Sequence, residues 1–418
     1  MPCKAHASEA APLGALDGLT VIDLTIMLAG PYASMMLADQ GARVIKIEPP
    51  GGEDARSIGP FIADAVPLSE GGYGAYFASI NRNKESVVVN LKDEAGKDVL
   101  RRLVAKADVL IENYRAGVME RLGLAYERLA EINPRLVYAC LRGFGDGRTG
   151  ESPYSAWPAY DPVSQAMGGI MGITGAEPGG APTKIGPGVG DILPAIFLAF
   201  GVASACWRAQ RTGKGQFLDI AMVDGVLAVC ERIVYQYSAT GIAPAPEGSG
   251  HPLLCPFGLF PAKDGFVSIG VPKDAFWTPL VMAMGRPELA ADPRYATNEA
   301  RIARRREVNT LVGEWTARQT KRALGEAFGG RIPFGPVFQA DDIFADPHFA
   351  VRGMLAEVEM PGAGLRLTVA NTPLHMAETP GGVRKRAPLA GEHTDRVLAE
   401  FGFAAGEIEG LRKRGVIR

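Results

Sequence analysis

Short, continuous apolar runs alternate with amphipathic stretches through the first half of the chain. Leu19-Thr20-Val21-Ile22-Asp23-Leu24 reads as a buried strand. Gly30-Pro31 opens a helix, Tyr32 to Gln40, that Gly41 ends, and Arg43-Val44-Ile45-Lys46-Ile47-Glu48 is the next strand, closed by Pro49-Pro50. Brief runs rich in Val and Ile and punctuated by Gly and Pro fit strands covered on both faces. The pattern recurs at Ser86–Leu91, Asp108–Glu112 and Leu136–Cys140, and Asp93 caps an intervening helix with Leu100, Leu103 and Val104 at helical spacing. Repeated βαβ units imply a parallel sheet with right-handed crossovers, so the fold class is α/β with a doubly wound large domain. The first crossover turn, Thr25-Ile26-Met27-Leu28-Ala29-Gly30, lacks the GxGxxG spacing of a dinucleotide site.

The longest apolar segment, Ile192 to Trp207, is apolar almost all round and predicts a buried helix. The glycine-rich stretch Gly186-Pro187-Gly188-Val189-Gly190 delivers Asp191 to its start. Asp191 is placed as N-cap and Pro194 in the first turn, where its missing N–H costs nothing; Arg208, Arg211 and Gly213 end the helix. Two readings of Asp191 stay open on this stretch alone: a helix cap, or a carboxylate nucleophile on a loop without side chains to block a substrate. A strand, Gly215–Ala221, and a second long helix, Val223 to Ser238, follow.

Beyond this point the composition shifts. Residues 241–258 are rich in Pro and Gly and read as a linker or active-site loop; a hairpin surrounds Lys263-Asp264-Gly265, and helical patterns fill 274–327. Pro333 to Val337 marks a return, and the tail carries a helix at Ala340–Ile343 and strands around Val358 and Leu367. The expected organisation is a large domain from 12–225 and 336–418, a linker helix and loop at 226–244, and a smaller α+β domain at 245–335. Length agrees, since 418 residues exceed one ordinary core.

Charge and cysteine narrow the partners. With 44 Lys+Arg against 46 Asp+Glu the net charge is −2, which argues against nucleic acid or an anionic membrane. The 192–207 segment falls short of the roughly 18 uncharged apolar residues of a membrane span, and Met1 to Ala11 lack the pattern of a secretory signal. Cys3, Cys140, Cys206, Cys230 and Cys255 are scattered and without CxxC spacing, so reduced thiols in a cytoplasmic protein are expected, with neither disulfide nor metal.

Several polar groups stand where open α/β sheets bind ligands. Asn113-Tyr114-Arg115 closes a strand at its carboxyl end, and Lys92, Arg115 and Arg121 together suit phosphates. Asn81-Arg82-Asn83-Lys84 reads as a solvated turn or a basic contact. Tyr160-Asp161 follows the Trp157-Pro158 break, and His251 lies in the 241–258 loop, as a substrate contact or a plain loop histidine. No Gly-x-Ser-x-Gly elbow or metal-spaced His pair occurs.

Taken in order, Ala29-Gly30-Pro31, Val44 to Glu48, Asn81 to Lys84, Glu112 to Arg115, Gly190-Asp191, Thr212 to Gln216 and Gly391-Glu392-His393-Thr394 resemble the class III CoA-transferases, the family of formyl-CoA and carnitine CoA-transferases. The likeness runs from Pro12 to about Leu398. It implies a Rossmann-like large domain built from both termini, a small domain, and a homodimer whose chains interlock. It implies CoA transfer between an acyl-CoA and a carboxylic acid, with the CoA thioester as substrate and no other cofactor. By position, the nucleophile falls on Asp191. Contacts to CoA fall on Met27, Ala29, Leu91, Lys92, Asn113, Tyr114, Arg115 and Arg121, and contacts to the acyl group on Leu28, Tyr160, Asp161, Gly190 and His251.

Departures from the family pattern matter for the substrate. Leu28 stands where formyl-CoA transferase has glutamine, and Gly248-Ser249-Gly250-His251-Pro252 replaces its run of consecutive glycines, so a formate or oxalate substrate is disfavoured. The related 2-methylacyl-CoA racemases carry His-Asp where this chain has Tyr160-Asp161. A phenol near its reference pKa of about 10 is a poor base, which favours transfer over racemisation. A non-catalytic CoA-binding protein is the third alternative, and the retained Gly190-Asp191 speaks against it.

Overall fold

The computed structural model describes residues 14–418; Cys3 lies outside them. Six parallel strands form the central sheet: β1 (Thr20–Asp23), β2 (Arg43–Glu48), β3 (Lys84–Val88), β4 (Val109–Glu112), β5 (Val137–Arg142) and β6 (Gln216–Ala221). Their spatial order, β3-β2-β1-β4-β5-β6, is that of a doubly wound sheet, with the switch point between β1 and β4. The crossovers carry helices α1 (Ala29–Asp39), α2 (Ala75–Ile80), α3 (Glu94–Val104), α4 (Val118–Arg121), α5 (Tyr126–Ile132), α6 (Asp161–Met167) and α7 (Val189–Thr212), and α8 (Met222–Val229) follows β6.

Alternation along the strands explains why both faces are covered. Val21, Val44, Val109 and Val137 meet α1 and α7 through Ala33, Leu37, Ala195, Leu198 and Val202. Their neighbours Ile22, Ile45, Leu110 and Tyr138 meet Leu100 and Leu103 of α3, together with Val397 and Leu398. The last two belong to a C-terminal helix, Thr394–Glu400, which with Ala405–Lys413 was not anticipated in the tail.

Helix α7 is buried along one side only. Ile196, Phe200 and Trp207 are 40%, 72% and 63% exposed, so the apolar surface all round the segment is half used within the chain. At 24 residues it is also long and apolar enough to cross a membrane by length and composition, contrary to the expectation that it falls short. Its inner side is core: Ala195, Leu198, Val202 and Cys206 pack on the sheet.

The chain divides into two compact units, 1–169 with 186–231 and 348–418, and 170–185 with 232–347. By this division 170–185, 232–244 and 336–347 group with the second unit, whereas the boundaries expected from sequence put 170–185 and 336–347 in the large domain and 232–244 in the linker. The expected long helix at 223–238 is two helices, α8 and α9 (Glu231–Thr240), separated at Cys230. In the second unit the hairpin around Lys263-Asp264 forms as expected from β7 (Phe257–Ala262) and β8 (Gly265–Gly270), and β9 (Phe334–Pro336) adds a third antiparallel strand. Its core is built on Trp277, Leu280, Val308, Val312, Leu324 and Phe328.

Candidate active site

A cleft of about 610 Å³ opens at the carboxyl ends of β1, β4 and β5, beside the switch point where doubly wound sheets bind ligands. The turn after β1 forms one wall with Met27, Leu28 and Ala29, and the turn after β4 another with Asn113, Tyr114 and Arg115. Arg121, Tyr160 and Asp191 also line it.

Three side chains from three places hold the turn after β1. Lys46 donates from Nζ to the Thr25 carbonyl at 2.7 Å. Asn113 clamps the next residue: its Oδ1 accepts from the Ile26 N–H at 2.9 Å and its Nδ2 donates to the Ile26 carbonyl at 2.8 Å. Glu53 accepts the Met27 N–H at 2.9 Å. Below them Asp23 accepts from Lys84 at 3.0 Å and from Ser34 at 2.6 Å, with all three groups out of water. Asn81-Arg82-Asn83-Lys84 is therefore not a solvated turn. Arg82 pairs with Asp39 at 2.8 Å, and Lys84 begins β3, opposite Val44 of β2. Burial alone would raise the Asp23 carboxyl; the ammonium groups of Lys84 and Lys46, with the Ser34 and Thr25 hydroxyls, outweigh it and hold the group down at about 2.

Asp191 sits one turn further into its helix than an N-cap. The N-cap of α7 is Gly188, which makes Asp191 the third helical residue, and Pro194 falls inside the helix, where it offers no N–H to the Gly190 carbonyl. The capping role passes to another element. Asp161, at the start of α6, accepts the Gly190 N–H at 2.9 Å and is itself held by Gln165 Nε2 at 2.8 Å. A side chain on residue 190 would have its Cβ 2.4 Å from the Asp161 carbonyl oxygen, so only glycine allows the two helices this approach. Asp161 thus braces the helix start, while its neighbour Tyr160, 58% exposed, faces the cleft. Within the first turn the positive end of the helix dipole favours a carboxylate at Asp191.

On the opposite flank Glu112 accepts the Tyr114 N–H at 2.7 Å and the Arg142 guanidinium at 2.6 Å, and Arg142 reaches the Tyr114 carbonyl at 3.2 Å. Arg115 and Arg121 are exposed and make no ion pair among the described residues, leaving two cations facing the cleft. Leu91 packs against the core and Lys92 is exposed beside Asn90; neither lines the cleft, because β3 ends at Val88 and the chain turns toward α3. His251 belongs to the second unit, where its ring lies 5.3 Å from that of Phe257 and its Nδ1 accepts the Leu253 N–H at 3.1 Å. Burial, then the charges of Arg232 and Arg305, hold its pKa below the usual imidazole value.

Tyr76, Arg142, Trp157 and Glu53 were not anticipated. Tyr76 lines the cleft near Asp191: burial first, and then the charge of Asp191, push its phenol up to about 12. The sequence signal is Tyr73, Tyr76, Phe77 and Ile80 at helical spacing after Gly71-Gly72. Among the described residues no group of three or more His, Cys, Asp or Glu is arranged to hold a metal ion.

Comparison with known proteins bears on this geometry. The pattern of CoA-transferase family III matches residues 16–394. A succinyl-CoA:mesaconate CoA-transferase from Haloarcula marismortui is 46% identical over 397 residues, 94% of this chain and 98% of the relative. An acetyl-CoA:oxalate CoA-transferase from Acetobacter aceti is 42% identical over 95% of this chain and 98% of its own length. Among solved structures, a CAIB/BAIF family protein from Brucella suis superposes with a TM-score of 0.82 at 38% identity, covering 93% of this chain and 99% of that one. A parallel six-stranded sheet with a cleft at its switch point, matched across nearly the whole chain, identifies this protein as a CoA-transferase that belongs to family III.

Proposed function

We propose that this enzyme moves CoA from succinyl-CoA to a short dicarboxylic acid, with Asp191 as the nucleophile. The observation that carries the reading is the position of Asp191: a carboxylate in the first turn of α7, lining the same cleft as Arg115 and Arg121. Those two cations suit the phosphates of CoA. The Asp191 carboxylate attacks the thioester carbonyl, the C–S bond breaks, and CoA thiolate leaves a mixed anhydride. The thiolate then attacks the Asp191 carbonyl, releasing the donor acid and forming an aspartyl-CoA thioester. The acceptor carboxylate attacks that thioester and expels CoA thiolate, which leaves a second anhydride; the thiolate then attacks the acceptor acyl carbonyl, forming the new acyl-CoA and freeing the Asp191 carboxylate. Each step exchanges groups of similar reactivity, which is what a covalent intermediate provides, and water must be excluded while the anhydride exists.

The relatives at 46% and 42% identity are named for mesaconate and oxalate, both dicarboxylates, and the first for a succinyl-CoA donor. Leu28 in the cleft wall, in place of a polar side chain, favours an acid with carbon between its carboxyl groups over oxalate. The exposed apolar side of α7, with Ile196, Phe200 and Trp207, supports a homodimer in which a second copy covers it.

Incubation with succinyl-CoA and a panel of dicarboxylates, followed by mass spectrometry of new acyl-CoAs, names the acceptor. Hydroxylamine trapping during turnover should mark the Asp191 peptide, and Asp191→Ala should abolish turnover while still binding CoA. An unmodified peptide, or undiminished turnover by Asp191→Ala, would remove the nucleophile. Deuterium wash-in at C2 without CoA transfer would replace the reading with racemisation.

A further inference from the structure

Met27 lies in the cleft wall with φ +67°, the left-handed region that a residue with a Cβ rarely adopts. It precedes Leu28 and Ala29, and all three line the cleft together with Asp191. Local sequence does not explain the conformation, because methionine has no side-chain group to stabilise it. The stabilising group is Glu53, 26 residues later, whose Oε2 accepts the Met27 N–H at 2.9 Å. Glu53 is fixed in turn: its other oxygen lies 2.8 Å from Lys46 Nζ, both side chains are out of water, and Lys46 also holds the Thr25 carbonyl at 2.7 Å. A buried carboxylate and ammonium therefore brace the residues on both sides of Ile26, which Asn113 clamps independently.

We infer that Glu53 is a positioning residue for CoA transfer: by accepting the Met27 N–H it holds the turn after β1 in the left-handed conformation that presents Met27, Leu28 and Ala29 to the acyl-CoA. Glu53 does not line the cleft and contacts no reacting atom. It acts through the backbone, which separates its role from that of a binding residue. The inference rests on the cleft being the site of transfer, and its test compares variants with one another, so it does not depend on which group is the nucleophile.

The measurement is turnover with succinyl-CoA and the best acceptor from the panel, in four full-length proteins: wild type, Glu53→Ala, Met27→Gly and the double variant. Releasing a left-handed non-glycine residue should lower kcat by roughly 5- to 30-fold in Glu53→Ala. Glycine adopts this φ without help, so the same Glu53→Ala change should cost less than about threefold when residue 27 is glycine. An equal loss in both backgrounds would overturn the inference, because a residue acting through Met27 must lose its effect once Met27 is replaced. Glu53→Gln keeps an oxygen for the Met27 N–H and removes the charge; it covers the case in which Glu53→Ala does not fold. It should retain kcat within about threefold of wild type, and a loss as deep as that of Met27 left unsupported would assign Glu53 to charge balance alone. A readout independent of activity is amide exchange: residues 24–30 should exchange faster in Glu53→Ala than in wild type, with β1 unchanged. Unchanged exchange across 24–30 would count against the inference.

Discussion

Both units of this protein bury arginine, and Arg301 and Arg142 do different things with it. Arg301, in the second unit, is wholly buried over Trp277. Its guanidinium donates to the carbonyls of Cys255 at 2.7 Å and Tyr295 at 2.8 Å, and to Asp274 at 2.8 Å. Those groups are parts of that unit's own framework. Arg142, in the large unit, is nearly as buried and makes bonds of the same kind, to Glu112 and the Tyr114 carbonyl, but the segment it ties down is a wall of the cleft. The lesson is that a buried charge signals function only through what it holds. The same holds for Lys46, Glu53 and Asn113, which secure the backbone of the turn after β1.

That comparison can be broken most forcefully at the two arginines. Arg301→Met leaves the buried Cys255 and Tyr295 carbonyls without their donor and should cost about 2–4 kcal/mol in the second unit. Hydrogen exchange should show the loss in β7–β9 while β1–β6 keep their protection. Arg142→Met should destabilise the large unit comparably and, in addition, raise KM for the acyl-CoA in steady-state kinetics. If KM is unaffected by Arg142→Met in folded protein, the two arginines are equivalent and the contrast fails.

A smaller effect comes from Asp23. Its carboxyl titrates at about 2 in the folded protein against an ordinary 3.8, so the stabilisation it contributes is complete above about pH 4 and is lost as the pH falls toward 2. The depression is worth about 2 kcal/mol. Acid unfolding followed by circular dichroism should show that slope in the wild type, and Asp23→Asn should flatten it from a lower starting stability.

The mildest change is at Arg121, exposed and without an ion pair among the described residues. Arg121→Ala should raise KM for the acyl-CoA about 10-fold, near 1.4 kcal/mol, with kcat unchanged. The effect should shrink as salt is added, because screening weakens an exposed contact to phosphate. Titrating KM at low and high ionic strength checks it.

How far the sequence reaches can be seen at particular residues. Apolar runs bounded by Gly and Pro disclosed β1, β2, β4 and β5 nearly to the residue, because strands covered on both faces need little beyond their own side chains to be recognised. Asn113, Tyr114 and Arg115 are legible as strand-end polar groups and Arg121 as a cation suited to phosphate, and all four line the cleft. Lys92 was equally legible and does not, since the chain has already turned toward α3. Asp161, a substrate contact by resemblance, braces Gly190, a role that exists only once α6 and α7 have met. Tyr76 sits on a helix of six residues, and its place on the cleft beside Asp191 follows from the assembled fold.

The sequence by itself determined the parallel α/β architecture, the hairpin of the second unit, the apolar length of α7 and the presence of a lone carboxylate at its start. Periodicity and turn chemistry are local, and they survive in the linear text. Only the tertiary structure decided that Asp191 is the third residue of its helix rather than the cap, that Lys84 and Arg82 are buried, and that Glu53 reaches back to Met27. Each of these depends on partners far apart in the chain. A buried charge or a left-handed methionine is costly until such a partner arrives, so its position follows from the assembled fold and not from its neighbours in sequence.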